Sequence, residues 1–175
     1  MKKAILIITM LGAFLSSCTK EDEKISSEFC YSNTNTQTIL HDEINREYVL
    51  YVPNSYDGST TVPLMLNFHG FGGSASDFMS TADMRSLAES NNFILVYPQG
   101  SCLNGFSHWN ACPTGGDNKS NADDFGFVEA IVNTISAQYQ VDMERIYAAG
   151  FSNGGMMAYG LANYKSDLIA AVASV

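Results

Sequence analysis

The stretch Arg145-Ile-Tyr-Ala-Ala-Gly-Phe-Ser-Asn-Gly-Gly-Met-Met-Ala-Tyr159 constrains the fold more than any other. It reads as a short apolar strand, an abrupt turn and then a helix. Gly150, Ser152 and Gly154 make a G-x-S-x-G pattern at the turn. A strand that reverses into a helix within about two residues brings backbone and neighbouring elements too close for most side chains, which is why glycines flank the serine. Such a turn holds the serine in a tight conformation and lifts its hydroxyl clear of the sheet. It also points the unpaired N–H groups of the helix N-terminus at any negative charge that develops there. Ser152 is therefore the expected nucleophile. The backbone N–H of Asn153, the residue after it, is an expected oxyanion donor, a role in which the Asn153 side chain need not take part.

A second glycine-rich turn, His69-Gly-Phe-Gly-Gly73, ends the apolar run from Val62 to Phe68. The other oxyanion donor is expected from this turn, from the N–H of Phe71 or, alternatively, Gly72. His69, at a strand end before glycine, is expected to brace the turn rather than act as a base. Gly70-x-Gly72-x-x-Ala75 also matches the dinucleotide fingerprint, which needs an acidic residue near the end of the next strand. That strand ends Val96-Tyr97-Pro98-Gln99 with no acid, so a nicotinamide cofactor is excluded and no other cofactor is implied.

In chain order, Thr38 to His41 and Arg46 to Val52 read as an antiparallel hairpin, and Val62 to Phe68 as a strand buried on both faces. A helix capped by Ser76 or Asp77 is expected to run to about Glu89, with Asn91 or Asn92 as its stop. Phe93 to Tyr97 is another buried strand. Residues 99–122 form a long loop. Asp123, with Asp124 beside it, caps a helix whose Phe127, Val128, Ile131, Val132, Ile135 and Tyr139 share one face. Arg145 to Phe151 is the strand before Ser152, Asn153 to Asn163 the helix after it, with Met156 and Met157 in the core. Leu168 to Val175 starts a further strand. Strands alternating with helices predict an α/β sheet, parallel after the opening hairpin, with helices on both faces and the site at the carboxyl ends of the strands.

The 46% of hydrophobic residues suffice for one core, and the net charge of −9, with Lys and Arg scattered, argues against nucleic acid as a partner. Lys2 and Lys3 precede an apolar run from Ala4 to Leu15, the pattern of an export signal and too short for a transmembrane span of roughly 20 residues. Leu15-Ser-Ser-Cys18 resembles the lipobox of bacterial lipoproteins, which implies a signal over 1–17, a lipid on Cys18 and a polar tether over 18–35, ahead of the folded domain expected over 36–175. Lys20-Glu-Asp-Glu23 resembles the acidic tag that sends some lipoproteins to the outer surface. In an oxidising compartment Cys102 and Cys112, flanking one loop, form the natural disulfide pair; Cys30 is then a free thiol or lacks its partner. No zinc-ligand spacing occurs.

Arg46-x-Tyr48-x-Leu-Tyr-Val-Pro53, His69-Gly-x-Gly-Gly73-Ser-Ala-x-x-Phe78, Val96-Tyr-Pro98, Trp109-Asn110, Ala122-Asp-Asp-x-Gly-Phe127, Val141-Asp142-x-x-Arg-Ile-Tyr147 and Gly150-x-Ser-Asn-Gly-Gly-Met-Met157 follow one another along the chain. In this order the chain resembles the N-terminal part of the extracellular α/β-hydrolases that include poly(3-hydroxybutyrate) depolymerases and the feruloyl and acetylxylan esterases of carbohydrate esterase family one. The resemblance implies an α/β-hydrolase fold and a serine carboxylic-ester hydrolase that attacks a polymer or plant-wall ester through an acyl-enzyme on Ser152. Trp109 and Phe106 either line an aromatic substrate cleft or pack under the long loop. In the family the triad Asp and His follow the nucleophile. Here His41, His69 and His108 all precede Ser152, and Asp167 comes too early for the triad acid. The chain is accordingly expected to be a partial sequence, inactive by itself. The contrasting expectation is a non-catalytic surface lipoprotein that binds glycan or polymer; a serine peptidase of the same fold is disfavoured by the family resemblance.

Overall fold

The computed structural model describes Cys30, residues 35–116 and residues 118–175. The export signal, Cys18 and nearly all of the tether lie outside the described residues.

Among the described residues the elements follow in order: β1 (Gln37–His41), β2 (Ile44–Tyr51), β3 (Val62–Phe68), α1 (Ala75–Thr81), α2 (Arg85–Asn91), β4 (Ile94–Pro98), β5 (Ser101–Leu103), β6 (Phe106–His108), α3 (Asp124–Gln138), β7 (Val141–Gly150), α4 (Asn153–Tyr164) and β8 (Ala171–Ser174). Six strands make one sheet in the order β1-β2-β4-β3-β7-β8. The β1–β2 and β2–β4 pairs are antiparallel; β4–β3, β3–β7 and β7–β8 are parallel. The sheet is thus parallel after the opening hairpin, as the alternation of strand and helix predicts.

Strand alternation divides the core in two. Leu64, Leu66 and Phe68 of β3 and Ile94 and Val96 of β4 face α3 and α4. Leu95 and Tyr97 of β4, with Val49 of β2, face α1 and α2. Successive side chains on a strand point to opposite faces, so β4, buried along its whole length, serves both layers. On α3 the side chains of Phe127, Val128, Ile131, Val132 and Ile135 are all buried, the helical stripe that their spacing predicts. Met157 is buried, but Met156 is 53% exposed. Neighbours on a helix point about 100° apart, so the pair cannot both reach the core.

Several expectations change. The single helix to Glu89 is two helices, α1 and α2, separated at 82–84. The break is stabilised by a buried tyrosine: the Tyr97 hydroxyl donates to the Ala82 carbonyl at 2.8 Å and accepts from the Met84 N–H at 3.3 Å. Backbone groups freed from a helix need such partners. The cap of α1 is Ser74, not Ser76 or Asp77; its hydroxyl accepts from the Asp77 N–H at 3.1 Å and donates to the Asp77 carboxylate at 2.8 Å. The 99–122 loop contains the β5–β6 hairpin, closed by Asn104 and Gly105 at φ of 52° and 82°. Asn-Gly suits a two-residue turn with positive φ at both positions, and that dipeptide was the available sequence signal.

The expected Cys102–Cys112 disulfide is corrected. Cys102 pairs with Cys30, 72 residues away, at a Cα–Cα distance of 5.4 Å, and Cys112 is free. Proximity in sequence favoured the short loop, but the fold sets Cys102 beside Cys30 instead. The backbone of Cys112 is held instead by the Asn118 side chain, which donates to its carbonyl at 2.6 Å and accepts from its N–H at 3.2 Å.

Asp123 caps α3 as expected, accepting from the Gly126 N–H at 2.9 Å. Asp124 is no surface cap. It is buried, accepts from Arg46 at 2.6 Å and from the Asn110 N–H at 2.7 Å, and Arg46 also lies 4.0 Å over the Phe127 ring. Replacing Arg46 by Met strands this carboxylate, and a loss of about 3–5 kcal/mol is expected in urea unfolding. For the disulfide, Ser at Cys30 and Cys102 is expected to cost on the order of 4 kcal/mol, from closure of a loop of this length. Cys112→Ser is expected to change stability by less than about 0.5 kcal/mol; an equal loss there would contradict the pairing.

Candidate active site

The glycines of the G-x-S-x-G turn leave no room for a side chain. A Cβ on Gly150 would meet the Gly154 carbonyl, and one on Gly154 would meet the carbonyl of Phe68 on β3. Between them Ser152 sits at φ 54° and ψ −118°, outside the regions that L-residues ordinarily occupy. The strain is held by the backbone around it. The Phe151 N–H donates to Phe68 at 3.2 Å, the Ser152 N–H to Val175 at 2.7 Å, and the Met156 N–H to the Ser152 carbonyl at 2.9 Å. Ser152 itself is exposed, and among the described residues no side chain accepts from its hydroxyl.

The His69–Gly73 turn lies against this elbow: a Cβ on Gly70 would come 3.6 Å from the Ser152 Cβ. Gly72 is removed as an oxyanion donor, because its N–H already donates to the Ser107 carbonyl at 2.8 Å. The Gly73 N–H is likewise used, on the Gly70 carbonyl at 3.0 Å. Among the described residues neither the Phe71 N–H nor the Asn153 N–H donates to another backbone carbonyl. Of the expected donors, these are the two whose N–H has no backbone acceptor among the described residues.

His69 braces the turn. Its Nδ1–H donates to the Gly70 carbonyl at 2.7 Å, and its Nε2 accepts from the Gly100 N–H at 3.0 Å, an assignment that fixes the neutral tautomer. Burial holds its pKa below the ordinary value. His108 is also buried, with Nε2 2.8 Å from the Ser120 hydroxyl and a pKa lowered chiefly by desolvation. His41 is paired to Asp123 at 3.1 Å. All three histidines are thus engaged away from the Ser152 hydroxyl.

Trp109 packs under the long loop. It is 1% exposed, edge-on to Phe68, and its indole N–H donates to the His69 carbonyl at 2.9 Å. Phe106, at the tip of the β5–β6 hairpin, is 56% exposed and stacks on Phe71, with ring centroids 5.6 Å apart. Of the two expected cleft residues, only Phe106 presents surface beside the turn. Phe71 of the turn, Phe151 of the elbow and Met156 and Tyr159 of α4 are exposed as well.

A mostly parallel sheet, a strained serine between β7 and α4, and a glycine-rich turn after β3 together define an α/β-hydrolase. The solved structures agree. The acetyl xylan esterase from Aspergillus awamori superposes with a TM-score of 0.63 at 22% identity, covering 78% of this chain and 50% of that one. An S-formylglutathione hydrolase from Agrobacterium tumefaciens gives 0.64 at 15% identity, covering 81% and 58%. The family model described as "Esterase PHB depolymerase" matches residues 46–174, and the chain belongs to that family. Among curated relatives, a feruloyl esterase B of Thermothelomyces thermophilus is 32% identical over 173 residues, 96% of this chain and 50% of its own length. A feruloyl esterase B of Piromyces equi is 33% identical over 132 residues, 73% of this chain and 23% of its own. The chain thus spans half or less of the length of these relatives.

Burial of neutral histidine has a stability consequence. Below the ordinary value of 6.5 the unfolded chain binds protons that buried His69 and His108 refuse, so stability falls with pH from about 6.5 downward. A melting series from pH 7.5 to 5 is expected to show this fall. The slope is expected to flatten in His69→Gln; an unchanged slope in that variant would contradict the neutral, buried assignment.

Proposed function

We propose that this chain carries the nucleophile half of a serine carboxylic-ester hydrolase. The observation that supports it most directly is the positive φ of Ser152 at a turn whose two glycines have no space for side chains. Strain of this kind persists only where the surroundings over-determine it, and here it presents a hydroxyl that no hydrogen bond among the described residues uses.

In the proposed reaction the Ser152 oxygen attacks the ester carbonyl carbon while a base takes its proton. The carbonyl oxygen becomes an oxyanion between the N–H groups of Asn153 and Phe71. The alcohol leaves with a proton from the protonated base, and water then releases the acid from the acyl-enzyme by the same steps. Each hole donor contributes on the order of 3 kcal/mol to the barrier reduction. Because all three histidines are engaged elsewhere, the base and its orienting acid are assigned to polypeptide outside these 175 residues. The curated relatives at 32% and 33% identity are feruloyl esterases, which favours an aromatic or plant-wall ester as substrate, and the Phe71–Phe106 pair offers an aromatic face beside the turn. Export and a lipid on Cys18 complete the proposal; a disulfide between Cys30 and Cys102 is at home in an oxidising compartment.

A fluorophosphonate probe is expected to label the full-length protein at Ser152 and to leave Ser152→Ala unlabelled. The same substitution is expected to lower turnover of p-nitrophenyl acetate by at least about a thousandfold. The 175 residues alone are expected to turn this ester over no faster than the Ser152→Ala protein. Wild-type-like turnover by them would overturn the placement of the base. Absence of labelling in a full-length protein would favour the glycan- or polymer-binding alternative.

A further inference from the structure

The two oxyanion donors come from different loops, so something must fix their separation. Asn153 follows β7, and Phe71 follows β3. The Asn153 side chain is 7% exposed and pairs at two points with the Trp109 backbone. Its Oδ1 accepts from the Trp109 N–H at 2.7 Å, and its Nδ2 donates to the Trp109 carbonyl at 3.0 Å. Reversing the amide would set donor against donor and acceptor against acceptor, so this pairing has one orientation. Trp109 then reaches the other loop through its indole N–H on the His69 carbonyl at 2.9 Å. The His69 Nδ1–H in turn holds the Gly70 carbonyl at 2.7 Å. That carbonyl belongs to the same planar, trans peptide unit as the Phe71 N–H, so fixing one fixes the direction of the other.

Starting from the serine-hydrolase reading above, we propose that the Asn153 side chain and Trp109 are positioning residues that set the Asn153 N–H and the Phe71 N–H against each other as one oxyanion hole. Neither side chain touches the substrate. Their effect passes through the backbone: Asn153 anchors the first turn of α4 to the long loop, and Trp109 anchors the long loop to the His69–Gly73 turn. The burial of both residues excludes water from a chain of hydrogen bonds running from one donor to the other. Trp109 also packs edge-on to Phe68 at 5.1 Å and lies 5.1 Å from His69, so its ring is held in the plane that aims the indole N–H.

The test uses the full-length protein with three variants: Asn153→Ala, Trp109→Phe, which keeps an aromatic ring but loses the indole N–H, and the two together. Measured with p-nitrophenyl acetate, each single variant is expected to lower kcat about ten- to a hundredfold with KM changed less than about threefold, because the lost interaction belongs to the transition state. The double variant is expected to fall no more than about threefold below the worse single, since one break already uncouples the loops. Fold losses that multiply, or a kcat within about twofold of wild type in a folded single variant, overturn the relay. Near-UV circular dichroism identifies which variants keep native packing. If Trp109→Phe does not fold, the kcat and KM of Asn153→Ala decide. Wild-type protein that fails to react with a fluorophosphonate at Ser152 removes the serine-hydrolase reading and the relay with it. Labelled wild type with unaffected variants removes the relay alone.

Discussion

The approach of the α4 N-terminus to the end of β3 is the constraint on which the rest of this structure depends. Gly154 lies against the carbonyls of Phe68 and His69, closer than any side chain permits, and Gly150 lies equally close to Gly154. Because the helix starts inside van der Waals reach of the neighbouring strand, the serine before it has no relaxed conformation available and takes a positive φ. The same closeness sets the His69–Gly73 turn beside the serine. Without the two glycines, strand, helix and turn could each form, but they could not share one corner.

Around that corner the long 99–122 segment acts as a strap. It contacts the glycine-rich turn at four of its five residues: Gly100 on the His69 ring, Trp109 on the His69 carbonyl, Ser107 on both Gly72 and Gly73, and Phe106 on Phe71. The strap is itself fastened at three points. The disulfide ties Cys102 to Cys30, buried Asp124 holds the Asn110 N–H and the Ser101 hydroxyl, and the Asn153 amide holds Trp109. A loop of this length is costly to order, and these fastenings add to the short β5–β6 ladder in holding it. In the proposed reaction, donors placed before the reaction rather than during it make an oxyanion site effective, and the strap is the part of the fold suited to hold them.

The periodicities of the chain showed the architecture plainly. Buried strands at Val62 to Phe68 and Phe93 to Tyr97, the apolar face of the helix from Asp124 and the strand–turn–helix around Ser152 all stand where local pattern puts them. The site was legible to the extent that backbone chemistry is local: Gly-x-Ser-x-Gly dictates an elbow wherever it joins a strand to a helix. The engagement of the Gly72 N–H was not, because its acceptor is Ser107, a residue 35 positions along the chain. Nor was the place of Trp109, whose burial follows from a contact with β3 that no spacing records.

By itself the sequence determined the alternation of strands and helices, the strained serine turn and the family, because each rests on residues close together in the chain. Tertiary structure alone decided the partners. Cys102 pairs with Cys30 rather than Cys112, Asp124 faces Arg46 rather than water, and the helix after Gly73 breaks in two where the Tyr97 hydroxyl supplies the freed backbone with partners. In each case a distant side chain satisfied a group that local pattern left open. A buried polar group must find a partner wherever the fold places one, and sequence distance has no bearing on that choice.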